Sequence, residues 1–169
     1  MEKKIIVPTD GSEEMKTVLG IAMEIAKHLD AKIYGLYVVD LTPFIDFPED
    51  ELVQTLKSRL YEDGWNALRM MEKVCLENGC RIELMIEEGN PAERIIKIAK
   101  KLRADMIVMG TRRDVSDKYM PVFSGIDRIK GGFANIRAAV SRKLFGSTAE
   151  KVIEGAPCDV LAVPLMREE

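Results

Sequence analysis

The length, composition and charge of the chain already exclude several classes of protein. With 169 residues, of which 47% are hydrophobic and 31% charged, the chain is typical of one folded domain over 1–169 and not of a disordered protein. A net charge of −3 gives no overall basic surface, so nucleic acid is not an expected partner. No stretch approaches the ~18 consecutive apolar residues of a membrane span, and the short apolar N-terminus does not resemble a signal peptide. We therefore expect a cytoplasmic protein with no membrane partner.

Strand-like and helix-like segments alternate through the first half of the chain. The β-branched run at 4–8 predicts a strand, and Ser12 is predicted to cap a helix whose apolar residues recur at steps of three and four as far as Leu29. A second buried strand is predicted over 32–39. A long helix is then predicted from about 49 to 77, weakened and open to a kink at Gly64 and stopped by Asn78-Gly79. Its predicted core residues share a helical spacing: Leu52, Leu56, Leu60, Leu68, Met71 and Val74.

The second half of the chain continues the same alternation. Residues 81–88 predict a third strand with one wetter face, and Asn90-Pro91-Ala92-Glu93 has the features of a capped helix start. The uncharged run at 106–110 predicts a central fourth strand, and a helix from Gly146 leads to a fifth strand over 159–164. This order predicts a single five-stranded parallel sheet with helices on both faces, whose ligands bind beyond the carboxyl ends of the strands.

One basic segment interrupts this alternation. The 35 residues from 111 to 145 show no strong strand pattern, and between 112 and 143 there are eight Lys or Arg residues against three Asp. The segment therefore carries a local charge of +5, which leaves −8 for the rest of the chain. Loops longer than ~12–15 residues are usually functional or disordered. The sequence thus predicts a basic insertion at about 112–143, which is either a docking segment or a solvated charged loop.

Three turns at predicted strand and helix ends could bind an anion or a nucleotide. Gly146-Ser147-Thr148 opens a helix, where backbone N–H groups and the helix dipole favour a phosphate, although Ser147 could simply be an N-cap. Asp10 could hold a ribose hydroxyl or a phosphate-bound Mg²⁺, or it could form a local turn with Gly11. Gly110 either lets a ligand approach the end of the fourth strand or only begins a loop. Both interpretations stay open for each turn.

Catalytic and metal-binding patterns are scarce in the sequence. It contains no GxxxxGK[ST] phosphate loop and no GxSxG motif, and its one histidine, His28, falls inside a predicted helix. Cys75, Cys80 and Cys158 fit no redox or zinc spacing and are expected to be buried thiols. A binding protein without catalytic residues or a metal centre of its own therefore fits better than a hydrolase.

Five sequence blocks together resemble the universal stress protein family. They are IIVPTDGS at 5–12, LYVV at 36–39, GNPAERI at 89–95, ADMIVMGT at 104–111, and LFGSTAEKVI at 144–153 followed by APCDVLAV at 156–163. The resemblance covers nearly the whole chain except the insertion, and the order and spacing of the blocks make it specific. It implies a Rossmann-like sheet related to the adenine nucleotide alpha-hydrolase-like folds, and a regulatory role in the stress response.

The resemblance also implies a homodimer and, for some members, ATP binding. The dimer commonly pairs through the last strand, here Val160, Leu161, Ala162 and Val163. ATP-binding members carry Gly, two residues, Gly, nine residues, then Gly-Ser or Gly-Thr, and they imply at most slow ATP hydrolysis. Carried over by position, with Arg113 added as a source of charge for the phosphates, the nucleotide-binding residues are Pro8, Thr9, Asp10, Val38, Met109, Gly110, Arg113, Gly146, Ser147 and Thr148.

The sequence departs from that glycine motif at the insertion. Arg113 stands where the second glycine belongs, and the interval between Gly110 and Gly146 is about 23 residues longer than the 12 of the motif. If the insertion bulges outward, the site is retained and Arg112 or Arg113 supplies charge to ATP, with or without Mg²⁺. If it fills the pocket, the protein is a non-nucleotide-binding interaction module whose basic insertion docks an unknown protein partner or a nucleic acid. A nucleotide-transferring enzyme is disfavoured because HxGH and SGGxDS signatures are absent.

Overall fold

A computed structural model describes residues 1–112, 122–123 and 146–165. Most of the predicted insertion, including Arg113, lies outside the described residues. Strands and helices alternate along the described chain in this order: β1 Lys3–Thr9, α1 Met15–Leu29, β2 Ala31–Val39, a 3-10 helix Thr42–Phe44, α2 Glu51–Glu77, β3 Ile82–Glu88, α3 Pro91–Leu102, β4 Met106–Arg112, β5 Val122–Phe123, α4 Gly146–Gly155 and β6 Asp159–Leu165.

The strands form one sheet in the order β3-β2-β1-β4-β6-β5. The first five of these pair in parallel, which confirms the predicted five-stranded parallel sheet with a central fourth strand. The two-residue β5 pairs antiparallel with β6, so the segment 111–145, in which the sequence shows no strong strand pattern, adds a short sixth strand at the edge of the sheet. The chain order reverses between β1 and β4, and the carboxyl ends of those strands therefore diverge to leave a crevice.

Helices cover both faces of the sheet, as the sequence predicted. On one face α1 and α2 bury Val18 and Leu68 against the sheet, and on the other α3 and α4 bury Ala99 and Val152. The apolar side chains of each strand alternate between these two cores. None of the helices in the described ranges combines the length and the apolarity that a membrane span needs.

The first half of α2 departs from the predicted core. Leu68 and Met71 are buried, but Leu52 and Leu56 are exposed by 66% and 37%, so their assignment to the core was wrong. A helix of 27 residues is about 40 Å long, whereas a nine-residue strand such as β2 spans about 30 Å. The helix is therefore longer than the strands it covers, and periodicity alone does not reveal which of its turns lie beyond them.

The helix ends show which capping predictions hold. Asn90 caps α3 by accepting a hydrogen bond from the backbone N–H of Glu93 at 3.1 Å, and α2 ends before Asn78 as predicted. The prediction for Ser12 was wrong, because α1 begins at Met15 after Glu14 and has no side-chain cap. The N–H of Ser12 instead donates to Oδ1 of Asp10 at 2.9 Å, so Ser12 belongs to the turn after β1.

Candidate functional site

A cavity of about 420 Å³ opens beyond the carboxyl ends of β1, β2 and β4. This is the side of the sheet where ligands bind in open α/β folds, and the volume is within the ~300–1,000 Å³ range of small-molecule sites. Its walls come from the strand ends and from the first turns of three helices: Pro8, Thr9, Asp10, Met15, Leu36, Tyr37, Val38, Pro91, Ile95, Met109, Gly110, Ser147, Thr148, Ala149 and Leu165.

Eight of the ten predicted nucleotide-binding residues line this cavity. They are Pro8, Thr9, Asp10, Val38, Met109, Gly110, Ser147 and Thr148. Gly146 is the first residue of α4 and precedes two of them directly. Arg113 lies outside the described residues. The structure thus brings these eight residues together at one cavity, and the role of each residue in binding stays a prediction.

The turn after β1 places Asp10 in the cavity wall. Oδ1 of Asp10 accepts the N–H of Ser12, and Oγ1 of Thr9 accepts the N–H of Gly11 at 3.1 Å. Gly11 has a φ of 80°, a conformation that glycine adopts without steric cost. The interpretation of Asp10 as part of a local turn is therefore correct. The turn does not remove Asp10 from the cavity, because Asp10 also lines the cavity wall.

The start of α4 forms the opposite wall. Because α4 begins at Gly146, Ser147 lies in its first turn and not before it. The first backbone N–H groups of a helix have no partner within the helix, and the dipole adds partial positive charge there. Ser147 and Thr148 line the cavity together with Gly110 of β4. The end of β4 at Gly110 and the start of α4 after Gly146 thus meet at one cavity, although 35 residues separate the two glycines in the sequence.

The charge that the described residues place on the cavity wall is negative. Among the lining residues that the structure describes, Asp10 carries the one charged side chain. Burial raises the pKa of the Tyr37 hydroxyl, and the negative charges of Asp63 and Asp10 raise it further. Among the described residues, the backbone N–H groups at the start of α4 are the groups at this cavity that favour a phosphate.

Seven of the wall residues in the described part of the chain were not predicted from the sequence. They are mostly apolar and come from the elements that flank the predicted positions: Met15, Leu36, Tyr37, Pro91, Ile95, Ala149 and Leu165. Tyr37 immediately precedes Val38 in β2, so a wider window around the strand end would have included it. Leu165 reaches the cavity because Gly110 leaves room for it: a Cβ on Gly110 would lie 2.5 Å from Cδ1 of Leu165.

Other reactive side chains of the described residues lie away from the cavity wall. His28 is exposed in α1, where Nδ1 lies 2.8 Å from the carbonyl oxygen of Glu24, as predicted for a helical residue. The three cysteines are buried thiols outside any disulfide, as expected, and burial raises the pKa of Cys75 to about 12. Within the described ranges no three His, Cys, Asp or Glu residues cluster as metal ligands.

Comparisons with known proteins place these features in a wider context. The model of the Universal stress protein family matches residues 1–164. Universal stress protein MJ0531 of Methanocaldococcus jannaschii is 36% identical over 167 residues, which cover 99% of this chain and 85% of that protein. The alignment therefore extends through the segment that interrupts the glycine motif.

Solved structures share the whole fold. The structure of hypothetical protein MJ0577 has a TM-score of 0.70 and 26% identity, with 99% of both chains covered. A universal stress protein solved in complex with cAMP has a TM-score of 0.63 and 20% identity, and covers 97% of this chain and 98% of that chain. At that identity the second likeness bears on the fold alone.

Proposed function

Because the chain belongs to the universal stress protein family, we propose that it is a cytoplasmic regulatory protein that binds ATP at the carboxyl edge of its sheet. The observation that carries the proposal is the meeting of Asp10, Gly110 and Ser147, from three distant segments, on one cavity. A protein of the same fold was solved in complex with cAMP, which motivates testing an adenine nucleotide as the ligand of this cavity.

The cavity wall offers a distinct surface to each part of ATP. Val38 and Leu36 of β2 provide apolar surface on which a purine can lie. The first turn of α4 provides backbone N–H groups and the hydroxyls of Ser147 and Thr148 for phosphates. Asp10 provides a carboxylate for a ribose hydroxyl or for a cation bound to the phosphates. The residues present therefore fit an adenine nucleotide.

A Mg²⁺ ion would be held mainly by the nucleotide. Mg²⁺ keeps several waters and commonly uses one or two carboxylates together with phosphate oxygens. Asp10 can supply one such carboxylate, and its charge alone would repel a triphosphate. We therefore propose that ATP binds as its Mg²⁺ complex, in which the cation offsets the charge of both groups.

Turnover of ATP is proposed to be slow at most. Hydrolysis needs a group that orients or deprotonates the attacking water. Among the described lining residues Asp10 is the one carboxylate, and its Oδ1 already accepts the Ser12 N–H. The proposed role of the cavity is therefore to hold a nucleotide and not to hydrolyse it. The nucleotide-bound and empty forms would then present different surfaces to a partner.

Calorimetric titration with Mg²⁺-ATP tests the proposal. Ser147→Ala removes a hydroxyl from the cavity and should weaken binding about three- to tenfold, since one hydrogen bond contributes ~1 kcal/mol. Ser58→Ala is the matched control, because Ser58 is exposed on α2 and its loss should leave the affinity unchanged. Adenine absorbance that accompanies the purified protein would support the same conclusion. Absence of heat at millimolar ATP would refute it.

The alternative of an interaction module makes a different prediction for the insertion. Its basic residues lie almost entirely outside the described residues, so partner docking stays a hypothesis that the +5 charge motivates. Replacing residues 113–142 with a short glycine linker separates the two functions. A variant that keeps ATP binding but loses a protein partner would assign the insertion to docking, and loss of ATP binding alone would assign it to the nucleotide site.

A further inference from the structure

Exposed apolar side chains concentrate at the start of α2. Of the nine large hydrophobic side chains that are exposed among the described residues, four fall within the stretch 45–56. They are Ile45, Phe47, Leu52 and Leu56, and the first two are exposed by 76% and 60%. Single exposed apolar residues are normal on a protein surface, whereas a local group of them is typical of a contact site. These four residues define the surface at the start of α2.

Hydrogen bonds fix the loop that carries Ile45 and Phe47. The N–H of Ile45 donates to the carbonyl oxygen of Thr42 at 3.3 Å, and the N–H of Phe47 donates to that of Phe44 at 3.1 Å. Oδ1 of Asp40 accepts the N–H of Thr42 at 2.9 Å. The backbone is therefore bonded in a conformation that leaves both apolar side chains exposed, and less conformational entropy is lost when a partner binds there.

Leu52 and Leu56 continue the surface along the helix. They are four residues apart in α2, so their side chains lie on the same helical face. Their exposure shows that the sheet does not cover this face of the helix. A 2.7 Å ion pair between Glu49 and Lys57 holds the preceding loop beside the first turns of α2. The loop and the helix therefore present their apolar side chains at one end of α2.

The charge around this surface is negative. Residues 40–63 contain seven Asp or Glu, all of them exposed, against Lys57 and Arg59, which gives a local charge of −5. Such a surface attracts a cationic partner and repels a nucleic acid or an anionic lipid surface. A basic amphipathic helix combines positive charge with an apolar face, and such helices commonly bind proteins through that face.

We propose that the surface at the start of α2 docks a basic amphipathic helix of a protein partner. The apolar face of that helix covers Phe47 and Leu52, and its Lys or Arg side chains meet the surrounding carboxylates. Burial of apolar area then supplies the affinity, while the charges orient the helix and speed its association. This inference does not depend on nucleotide binding.

A designed peptide tests the apolar part of the surface. The probe is a fluorescein-labelled peptide of about 14 residues, or about four helical turns, with Leu at positions a and d of each heptad and Lys elsewhere. Fluorescence anisotropy should show saturable binding that Phe47→Ser/Leu52→Ser weakens about tenfold. Leu76→Ser is the matched control, because Leu76 is exposed by 62% at the other end of α2 and its loss should leave the affinity unchanged. Equal affinities of the wild type and the double variant would overturn the proposal.

A second peptide and a second pair of variants test the charge. The same peptide with Glu in place of every Lys should not bind. Glu51→Gln should weaken binding of the Lys peptide about two- to threefold at low salt. Glu77→Gln, which removes an exposed carboxylate from the last turn of α2, should leave it unchanged. A Glu peptide that binds as tightly as the Lys peptide would overturn the proposal, because the partner would then need no positive charge.

Two further measurements detect other occupants of the surface, and either would overturn the proposal. If only a variant with residues 113–142 replaced by a short glycine linker binds the Lys peptide, the occupant is the insertion of this chain. If sedimentation velocity shows a wild-type dimer that Phe47→Ser/Leu52→Ser dissociates and Leu76→Ser does not, the occupant is a second copy. Absence of binding by both the wild type and the linker variant would overturn it as well. If circular dichroism shows that the double variant does not fold, Phe47→Ser alone, in the loop, serves for the same comparison.

Discussion

The ring of Tyr37 packs directly on the backbone of Gly64. A Cβ on Gly64 would lie 2.6 Å from Cδ1 and 2.9 Å from Cε1 of that ring, and 3.1 Å from Cδ1 of Ile86. Gly64 is buried within α2, which is uninterrupted from Glu51 to Glu77. The close approach of β2, and not a kink, therefore explains the glycine in the middle of this helix, and it sets the position of Tyr37 in the cavity wall.

Gly64→Ala should destabilise the protein although alanine is the better helix former. Alanine contributes about 1 kcal/mol of helix propensity, but forcing a methyl group into a packed contact costs ~1–3 kcal/mol. We expect a net loss of up to about 2 kcal/mol in the free energy of unfolding, measured by urea denaturation.

Gly20→Ala is the matched control for this substitution. Gly20 also lies within a helix, and nothing approaches within 4 Å of where its Cβ would be. Only the propensity gain should remain, so this variant is expected to be more stable than the wild type by up to about 1 kcal/mol. A stabilised Gly64→Ala variant would show that the Tyr37 ring moves aside at little cost.

The strand ends were the part of the site that could be predicted from the sequence. Asp10, Val38 and Gly110 each follow or end a short apolar run, and parallel strands end at one edge of a sheet. Their place on the cavity therefore follows from local patterns. Tyr37 needed only a wider window around the end of β2, whereas Leu165 was missed because its place on the cavity depends on a tertiary contact with Gly110, which no local pattern shows.

The errors in the fold have the same origin. The exposure of Leu52 and Leu56 depends on how far α2 runs beyond the sheet, whereas helical spacing reports only the face on which they lie. A two-residue strand such as β5 has too few residues for an alternating pattern and exists because the edge of β6 offers it backbone partners. Local sequence therefore predicts the elements, and packing between distant elements decides their ends and edges.

Gly110→Ala should both destabilise the protein and reshape the nucleotide cavity. A Cβ there would lie 2.5 Å from Cδ1 and 3.0 Å from Cγ of Leu165, and 3.3 Å from Cγ2 of Val18. Because Leu165 lines the cavity, its displacement should weaken Mg²⁺-ATP binding as well as lower the free energy of unfolding by about 1–3 kcal/mol.

A second substitution shows whether Leu165 transmits this effect. Leu165→Ala alone should cost about 2–5 kcal/mol, since it empties a packed site. In the double variant Gly110→Ala/Leu165→Ala the two costs should be less than additive, because the new methyl group fills part of the space left by leucine. Strict additivity in urea denaturation would rule out the Leu165 contact as the cause.

Asp10→Asn should change the cation dependence of nucleotide binding more than the fold. Asparagine retains an oxygen that can accept the N–H of Ser12, which Asp10 does at 2.9 Å, so the turn after β1 should persist. Without the carboxylate, Mg²⁺-ATP should bind more weakly, whereas ATP with a chelator should bind more tightly because a like charge has been removed. Calorimetry under the two conditions measures both affinities.

These opposite changes in the affinity for Mg²⁺-ATP and in the affinity for ATP without Mg²⁺ distinguish Asp10 from a purely structural residue. Asp10→Ala removes both the turn acceptor and the charge, so it should lower the affinity under both conditions and the melting temperature as well. If Asp10→Asn weakened both forms of ATP equally, a contact of Asp10 with a cation would be excluded, and a hydrogen bond to the nucleotide would be the better explanation.

Asp105 ties the loop before β4 to the start of β1 and should make stability depend on pH. Its carboxylate accepts the backbone N–H of Lys4 at 2.9 Å and the Nζ of Lys3 at 3.0 Å. Partial burial would raise the pKa of this carboxyl, but the hydrogen bonds from Lys4 and Lys3 and their positive charges outweigh it, so the pKa is lowered. A carboxyl whose pKa is lower in the folded state stabilises the protein above its unfolded pKa and loses that contribution as pH falls through the folded value.

Asp105→Asn should therefore be less stable than the wild type at pH 7, and the difference should shrink as the pH falls below about 4. Asparagine can still accept the Lys4 N–H, so the substitution removes mainly the charge. Thermal denaturation at a series of pH values from neutral to acid measures the two curves, and Asp46→Asn, at an exposed loop position, is the control. The prediction fails if the plots of melting temperature against pH for the wild type and for Asp105→Asn stay parallel down to the lowest pH. Such a result would show that solvent screens the ion pair with the exposed Lys3 side chain, so that the pair contributes nothing measurable to folding.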